Sequence, residues 1–159
     1  MDAKGVLVTF FSGMSPIGEV RLAIPLGRTT YDLAWYEAFG WGVLGNLVPV
    51  VLLLWGLGPA SRLLLAFPNP AGRLLQWRAD RLQRNTARAV QRWGAFTALA
   101  VFVAVPLPLS GAWTGCILAW ALGLPRRVSL PAVVLGVLVS GAVVTALVEA
   151  GLHFPFIKD

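Results

Sequence analysis

The sequence predicts an all-α integral membrane protein, and three observations support this fold class. The chain is 57% hydrophobic and 13% charged, with a mean hydropathy of +0.74, whereas a soluble domain carries about 25% charged residues. Its apolar residues fall into four blocks, two of them continuous and two broken by proline and glycine. Its arginines are concentrated between the blocks. At 159 residues the chain is expected to form a single membrane domain.

The two continuous blocks are residues 40–57 and 128–152. With a flanking residue or two, the first reaches the roughly 20 apolar residues that a transmembrane helix needs. The second is rich in valine and leucine over its whole length. Each is therefore predicted to cross the membrane once.

The two broken blocks are residues 5–27 and 94–124, interrupted at 15–21 and 105–111. The uninterrupted pieces would form helices of about 15 to 20 Å, shorter than the hydrocarbon core. Irregular backbone at that depth survives only where it is buried in protein or lines a cavity. Each broken block is therefore predicted to be a re-entrant helical hairpin.

The distribution of arginines orients these elements. Segment 58–93 contains seven arginines and one acidic residue, Asp80, so the positive-inside rule places it in the cytoplasm. Arg126 and Arg127 join it there only if the second broken block is re-entrant. Asp32 and Glu37 then lie outside, where the first hairpin begins and ends.

The predicted organisation is an inverted repeat, of the kind common in secondary transporters. Residues 1–58 form the first hairpin and span, 59–93 a cytoplasmic connector, and 94–159 the second hairpin and span. This is little material to shield charges and bent backbone from lipid, so at least a dimer is expected. Small residues on the second span, Gly136, Ser140 and Gly141, are predicted to provide a close-packing face.

The connector is predicted to be a basic amphipathic helix at the membrane surface. Its arginines follow one another at intervals of three or four residues and form one stripe: Arg78, Arg81, Arg84, Arg88 and Arg92. Such a stripe is suited to binding anionic lipid headgroups. The alternative is that these arginines only determine topology, because the positive-inside rule alone would produce them.

Glu19 and Arg21 are the main candidates for a functional site, because charges at membrane depth are costly and usually functional. On a helix, residues two apart point about 200° away from each other, so each needs another partner. The backbone of residues 106–111 in the opposite hairpin, or a second subunit, could supply it. The structural alternative is that Glu19 stabilises a helix N-terminus and Arg21 satisfies carbonyl groups.

Further candidate residues surround the two breaks: Pro16, Gly18, Pro106, Pro108, Ser110, Gly111 and Thr114, with Asp32 and Asn46 as secondary candidates. Ser110 and Thr114 could coordinate a polar headgroup, or could simply allow close backbone approach. Asn46 is more typical of an interhelical hydrogen bond. The sequence contains no metal-ligand cluster, catalytic triad or phosphate loop, so no enzyme, cofactor, metal or nucleic-acid function is expected.

Segments 14–27 (MSPIGEVRLAIPLG) and 102–115 (FVAVPLPLSGAWTG) resemble the two signatures of the small multidrug export protein family. The resemblance covers nearly the whole chain. That family is similar in architecture to the DedA, or VTT-domain, membrane proteins, which implies two re-entrant hairpins in an inverted repeat. Glu19 matches the acid after the first hairpin turn of DedA proteins, and Asp32 is a looser counterpart of a second acid. The arginines of the second DedA hairpin have no counterpart in 102–115.

The resemblance implies proton-dependent flipping of an anionic lipid carrier such as undecaprenyl phosphate, in the cytoplasmic membrane of a prokaryote. Arg21 would engage the phosphate and Glu19 would carry the proton. The alternatives are export of small molecules, with Glu19 as counter-charge, and a membrane scaffold that transports nothing. A transporter predicts a water-accessible cavity that reaches Glu19, whereas a scaffold predicts that both charges are sealed by packing.

Overall fold

The computed structural model describes residues 3–66, 92–105 and 111–151, and all regular structure in these ranges is helical. This confirms the all-α prediction for the described part of the chain. The elements in chain order are α1 (Ala3–Met14), α2 (Glu19–Pro25), a π-helical segment (Leu26–Thr30), α3 (Trp35–Ala66), α4 (Arg92–Ala104), α5 (Ala112–Ala121) and α6 (Arg126–Glu149).

Within the described ranges, two helices are long and apolar enough to cross a membrane. The apolar stretch of α3 is Trp35–Pro59, within which 18 consecutive residues have a mean hydropathy of 1.8, and 18 consecutive residues of α6 have a mean hydropathy of 2.3. Both predicted spans are therefore present as helices, but α3 continues to Ala66, into the segment predicted to be the connector. Pro49 and Pro59 lie inside α3 without ending it, as happens in membrane helices where neighbouring groups satisfy the freed carbonyls.

Short helices replace a continuous span in both broken blocks. The chain turns at residues 15–18 between α1 and α2, and α4 and α5 flank residues 106–110, which lie outside the described ranges. With 12, 13 and 10 residues, α1, α4 and α5 are roughly 15 to 20 Å long. None of them alone reaches across a hydrocarbon core of about 30 Å.

The two long helices are antiparallel, and a polar contact marks each end of the pair. At one end, the Arg126 guanidinium lies over the Trp55 ring, 5.7 Å from its centroid. At the other, the Arg28 Nε donates a hydrogen bond to the Glu149 Oε1 at 2.6 Å. We call these the Arg126 end and the Arg28 end. The segment that follows α2 therefore lies beside the end of α6.

Glycines on α3 allow the first two helices to pack against it without intervening side chains. A Cβ at Gly45 would overlap the Phe10 backbone of α1. A Cβ at Gly42 would lie 3.1 Å from Ile24 and 3.4 Å from Ala23 of α2. Because Gly27, after α2, accepts a hydrogen bond from Leu33, just before α3, α2 runs from the bundle interior towards the Arg28 end.

The small residues of α6 are used within the chain. A Cβ at Gly136 would lie 2.8 Å from the Ala100 carbonyl oxygen of α4, and one at Gly141 would lie 3.0 Å from the Phe39 ring of α3. Ser140 between them is 2% exposed. The predicted close-packing face of Gly136, Ser140 and Gly141 is therefore present, but helices of the same chain cover it, so it gives no support to a second subunit.

Candidate functional site

Glu19 is the first residue of α2, and its side chain is buried, with 6% of its surface exposed. Its backbone φ is +48°, in the left-handed region that residues other than glycine seldom occupy. The Glu19 amide donates a 3.1 Å hydrogen bond to the Ser15 carbonyl, which closes the turn after α1. The turn therefore fixes this carboxylate in the interior of the bundle.

The Glu19 carboxylate stabilises the N-terminus of α5. The Trp113 amide donates a hydrogen bond to Glu19 Oε1 at 3.3 Å, across 94 positions of sequence, and the Ala112 amide also interacts with the carboxylate. The first amides of a helix have no partner within it, and they carry the positive end of its dipole. Gly111, the N-cap of α5, provides no side-chain cap, so Glu19 of α2 supplies the missing acceptor.

Gly111 makes room for this contact. Its φ of −111° and ψ of −172° are extended, so its conformation would accept any residue. A Cβ at this position, however, would overlap both carboxylate oxygens of Glu19. The absence of a side chain at Gly111 is therefore a requirement of the Glu19 contact and not of the local backbone.

Arg21 lies near Glu19, whose carboxylate accepts its hydrogen bonds from the amides of α5. The two charges interact electrostatically, but their positions two residues apart on α2 direct their side chains to different sides. Arg21 is partly buried, whereas Glu19 is almost fully enclosed. The site therefore contains one enclosed anion and one cation nearer its edge.

Cys116, one turn further along α5, is fully buried and also interacts electrostatically with Glu19. Its thiol lies 3.9 Å from the Val50 carbonyl of α3, in hydrogen-bonding geometry. This contact places the first two turns of α5 against the middle of α3. It therefore brings the Glu19 site to the centre of the helix pair.

Asn46 of α3 is a second polar group in the interior. It is 0% exposed, and neither atom of its side-chain amide has a hydrogen-bond partner among the described residues. The hydroxyl groups of Thr9 on α1 and Ser140 on α6 are likewise buried without a partner in the described ranges. A buried polar group without a partner costs about 1 to 3 kcal/mol, so a role beyond packing is expected at these positions.

The structure brings only some of the predicted site residues together. Gly18 is buried beside Glu19, while Pro16 is exposed at the turn, next to Ile17 with 89% of its surface exposed. Thr114 is exposed on α5, and Asp32 is exposed between the π-helical segment and α3. Four predicted headgroup ligands and three break residues lie outside the described residues: Arg78, Arg81, Arg84, Arg88, Pro106, Pro108 and Ser110. Arg92 is the first residue of α4.

Sequence reasoning missed the backbone donors that hold Glu19. The backbone of residues 106–111 in the second broken block was one of two expected partners, the other being a second subunit, and the donors lie just beyond that segment, at Ala112 and Trp113. A glycine followed by an apolar run is a recognisable helix start, and this signal could have identified the donors. No sequence pattern connects Cys116 with the site.

The described residues contain no group of three His, Cys, Asp or Glu that could hold a metal ion. A surface pocket of about 410 Å³ lies near the Arg28 end. It is lined by Trp35, Phe39, Ala142, Thr145, Ala146 and Glu149. This pocket opens between α3 and α6, and Glu19 is not among its lining residues.

The described residues contain two apolar helices long enough to cross a membrane and short helices that meet at a buried carboxylate, a combination that suits a helical membrane protein. A comparison with protein families identifies the family to which the chain belongs. The model of the family described as "Putative small multi-drug export protein" matches residues 19–143, so the chain belongs to this family. The match begins at Glu19 and includes Asn46 and all of α5. Neither the curated proteins nor the solved structures gave a match to the chain.

Proposed function

We propose that the protein is a membrane transporter that moves an anionic lipid carrier, such as undecaprenyl phosphate, across the cytoplasmic membrane of a prokaryote in a proton-dependent manner. The observation that carries this proposal is the buried Glu19 carboxylate at the N-terminus of α5. A helix N-terminus is a binding position for phosphates and other anions. Here an anion of the protein itself occupies that position.

The mechanism is competition between two anions. While Glu19 is ionised, its carboxylate holds the Trp113 amide and excludes another anion. A protonated Glu19 is neutral and loses most of its attraction to the positive helix end. The phosphate oxygens of the substrate then bind the freed amides, and Arg21 at the edge of the site pairs with the remaining charge. When the substrate leaves, Glu19 releases its proton and caps α5 again.

The architecture that suits this mechanism is the DedA-like inverted repeat. We propose that α1–α2 and α4–α5 are re-entrant hairpins from opposite membrane faces, that residues 59–93 contribute a basic surface for lipid headgroups, and that the protein works as a dimer. Short helices that meet at Glu19, and a segment after α2 that lies beside the end of α6, support this arrangement. Native mass spectrometry from lipid nanodiscs tests the dimer.

A membrane scaffold is the second candidate, and one observation favours it. Glu19 is sealed by packing, as expected for a purely structural cap, and the pocket near the Arg28 end is lined by other residues. Under the transport proposal the same observation describes an occluded state, which opens when the cap is released. The two candidates differ in whether wild-type protein moves any substrate.

The test is flux of a phosphate-headed lipid in liposomes, with and without an imposed proton gradient. Glu19→Gln keeps an oxygen that can accept from Trp113 but removes the titration, so we expect an inserted protein without a gradient response. Glu37→Gln is the matched control. Glu37 lies near the Arg28 end, where it accepts a hydrogen bond from the Ala34 amide, and glutamine can replace it there.

Two outcomes would redirect the proposal. A normal gradient response in Glu19→Gln would remove Glu19 as the proton carrier, and absence of flux in the wild-type protein would favour the scaffold. Arg21→Lys distinguishes the substrates, because lysine keeps the charge and loses the planar fork. Flux of a phosphate substrate should fall in this variant more than flux of a cationic drug; equal effects would favour the multidrug exporter.

A further inference from the structure

Asn46 and Glu19 lie at the same depth in the bundle, on facing helices. Gly42 of α3 contacts Ala23 of α2. One turn further from the Arg28 end, α3 carries Asn46 and α2 carries Glu19, because the two helices run in opposite directions. Asn46 and Glu19 therefore each lie one helical turn beyond the contact between Gly42 and Ala23, on the same side of it.

The helical register directs Asn46 towards the Glu19 site. A Cβ at Gly42, four positions earlier on α3, would meet Ile24 and Ala23 of α2, and the backbone carbonyl of Val50, four positions later, meets the Cys116 thiol of α5. The backbone nitrogen of Asn46 lies beside Gly13 of α1. Because positions four apart on a helix rotate by about 40°, Asn46 lies on the face of α3 between the positions that meet α2 and α5. The carboxylate of Glu19 spans the gap between α2 and α5 to reach Trp113.

The two groups have complementary unused hydrogen-bonding capacity. Asn46 has a donor and an acceptor without a partner in the described ranges. An ionised carboxylate has about four acceptor positions, and the α5 amides use only some of them. A buried water typically makes about three hydrogen bonds to groups of this kind. A metal cation is a poor fit here, because the positive end of α5 and Arg21 lie against the same carboxylate.

We infer that Asn46 is a positioning residue that holds a buried water against the Glu19 carboxylate, and that this water donates a hydrogen bond to the ionised carboxylate. The part that this hydrogen bond plays in proton-dependent transport rests on the proposed function, whereas the water site does not. Among the described residues, Arg21 and Cys116 are the titratable groups that interact with Glu19. The charged residues of α1, α3 and α6 within the described ranges lie at or near helix ends: Lys4, Glu37, Arg62, Arg126, Arg127 and Glu149.

The test measures the protonation of Glu19 directly and does not depend on transport. A hydrophobic carbodiimide modifies protonated carboxyl groups, and mass spectrometry of the labelled peptide gives the pH midpoint of Glu19 modification. Asn46→Leu keeps the number and branching of the side-chain heavy atoms but cannot hold a water. It should raise the midpoint by about one to two pH units, because the ionised carboxylate loses a hydrogen bond.

Two further variants distinguish a bound water from direct contact between Asn46 and Glu19. Asn46→Ala leaves space that water can fill, so its midpoint should stay close to the wild-type value; a shift equal to that of Asn46→Leu would mean direct contact and would overturn the water site. If Asn46→Leu fails to insert, Asn46→Val takes its place, with the same expected shift. An unchanged midpoint in the apolar variant would overturn the inference.

Thr9→Val is the matched control for loss of a buried polar group. Thr9 is also fully buried without a described partner, but it contacts Gly27 beyond the far end of α2, roughly 12 Å along the helix from Glu19. Its variant should leave the labelling midpoint unchanged. An equal shift in Thr9→Val would show a general effect of interior polarity and would also count against Asn46. Failure of the transport proposal would leave all these labelling results intact.

Discussion

The backbone of Glu19 is held in a conformation that is costly for a residue with a side chain. A φ of +48° at a position other than glycine costs of order 1–3 kcal/mol, and persists when the surrounding structure fixes it. The surroundings here are the Ser15 turn on one side and the α5 N-terminus on the other. Asp32 has a similar φ of +49°, but aspartate tolerates this region better than glutamate does. The strain at Glu19 is therefore linked to its contact with α5.

We expect Gly111→Ala to break the Glu19 cap. The added Cβ would overlap the carboxylate, while the extended backbone itself accepts alanine. Loss of a hydrogen bond to a charged group should lower the free energy of unfolding by about 1.5–3 kcal/mol. The measurement is thermal or denaturant unfolding in detergent.

Gly56→Ala is the control for this substitution. Gly56 lies inside α3, and a Cβ there would meet nothing within 4 Å, so alanine should be neutral or stabilising by up to about 1 kcal/mol. The cap assignment also predicts that Gly111→Ala costs much less when Glu19 is already alanine. Additive effects of the two changes would contradict it.

At the scale of elements, α5 depends on its neighbours for both its start and its position. Its ten residues are too few for a stable helix in isolation, and its first amides are satisfied by α2. Its next turn meets α3 through Cys116 and α4 through the contact between Gly115 and Val103. Release of the Glu19 cap would therefore remove one of the contacts that hold α5 in place, beside those with α3 and α4.

We expect Gly136→Ala to separate α4 from α6. The Cβ would lie 2.6 Å from the Val103 Cβ and 2.8 Å from the Ala100 carbonyl oxygen, and overpacking of this kind typically costs about 1–3 kcal/mol. Gly94→Ala, on the open side of α4, should not destabilise. Unfolding measured in the same detergent compares the two, and equal stability of both variants would refute the close packing.

At the scale of the whole molecule, the contacts at the two ends of the bundle show which helix ends lie together. The hydrogen bond to Glu149 raises the pKa of Arg28, and since arginine is charged at all physiological pH values, the pair is a fixed link. Exposed ion pairs contribute at most about 1 kcal/mol, so this link tells more about position than about stability. Arg126 meets Trp55 at the opposite end.

Cysteine labelling tests this topology. In a Cys116→Ala background, single cysteines at Arg62 and Arg127 should react with a membrane-impermeant maleimide from the same face. A cysteine at Asp32, which is exposed near the Arg28 end, should react from the opposite face. Modification of the Arg62 and Arg127 sites from opposite faces would exclude a re-entrant second block.

The sequence by itself determined the helical class, the two long apolar helices and the two breaks, because these depend on local composition and on proline and glycine. It also identified Glu19, since an acidic residue in an apolar block is conspicuous. It did not predict that the helix of the first span continues past Pro59 to Ala66, because a proline that would end a soluble helix is tolerated inside α3.

Only the tertiary structure decided which groups Glu19 meets. The partner amides are 94 positions away, and although a glycine before an apolar run can indicate a helix start, it does not indicate which carboxylate meets that helix. Only the tertiary structure also decided what the glycines of α6 pack against, because their local pattern fits packing within the chain and packing between chains equally well. The structure covers them with α3 and α4, because side-chain contacts between helices depend on relative position, which local sequence does not encode.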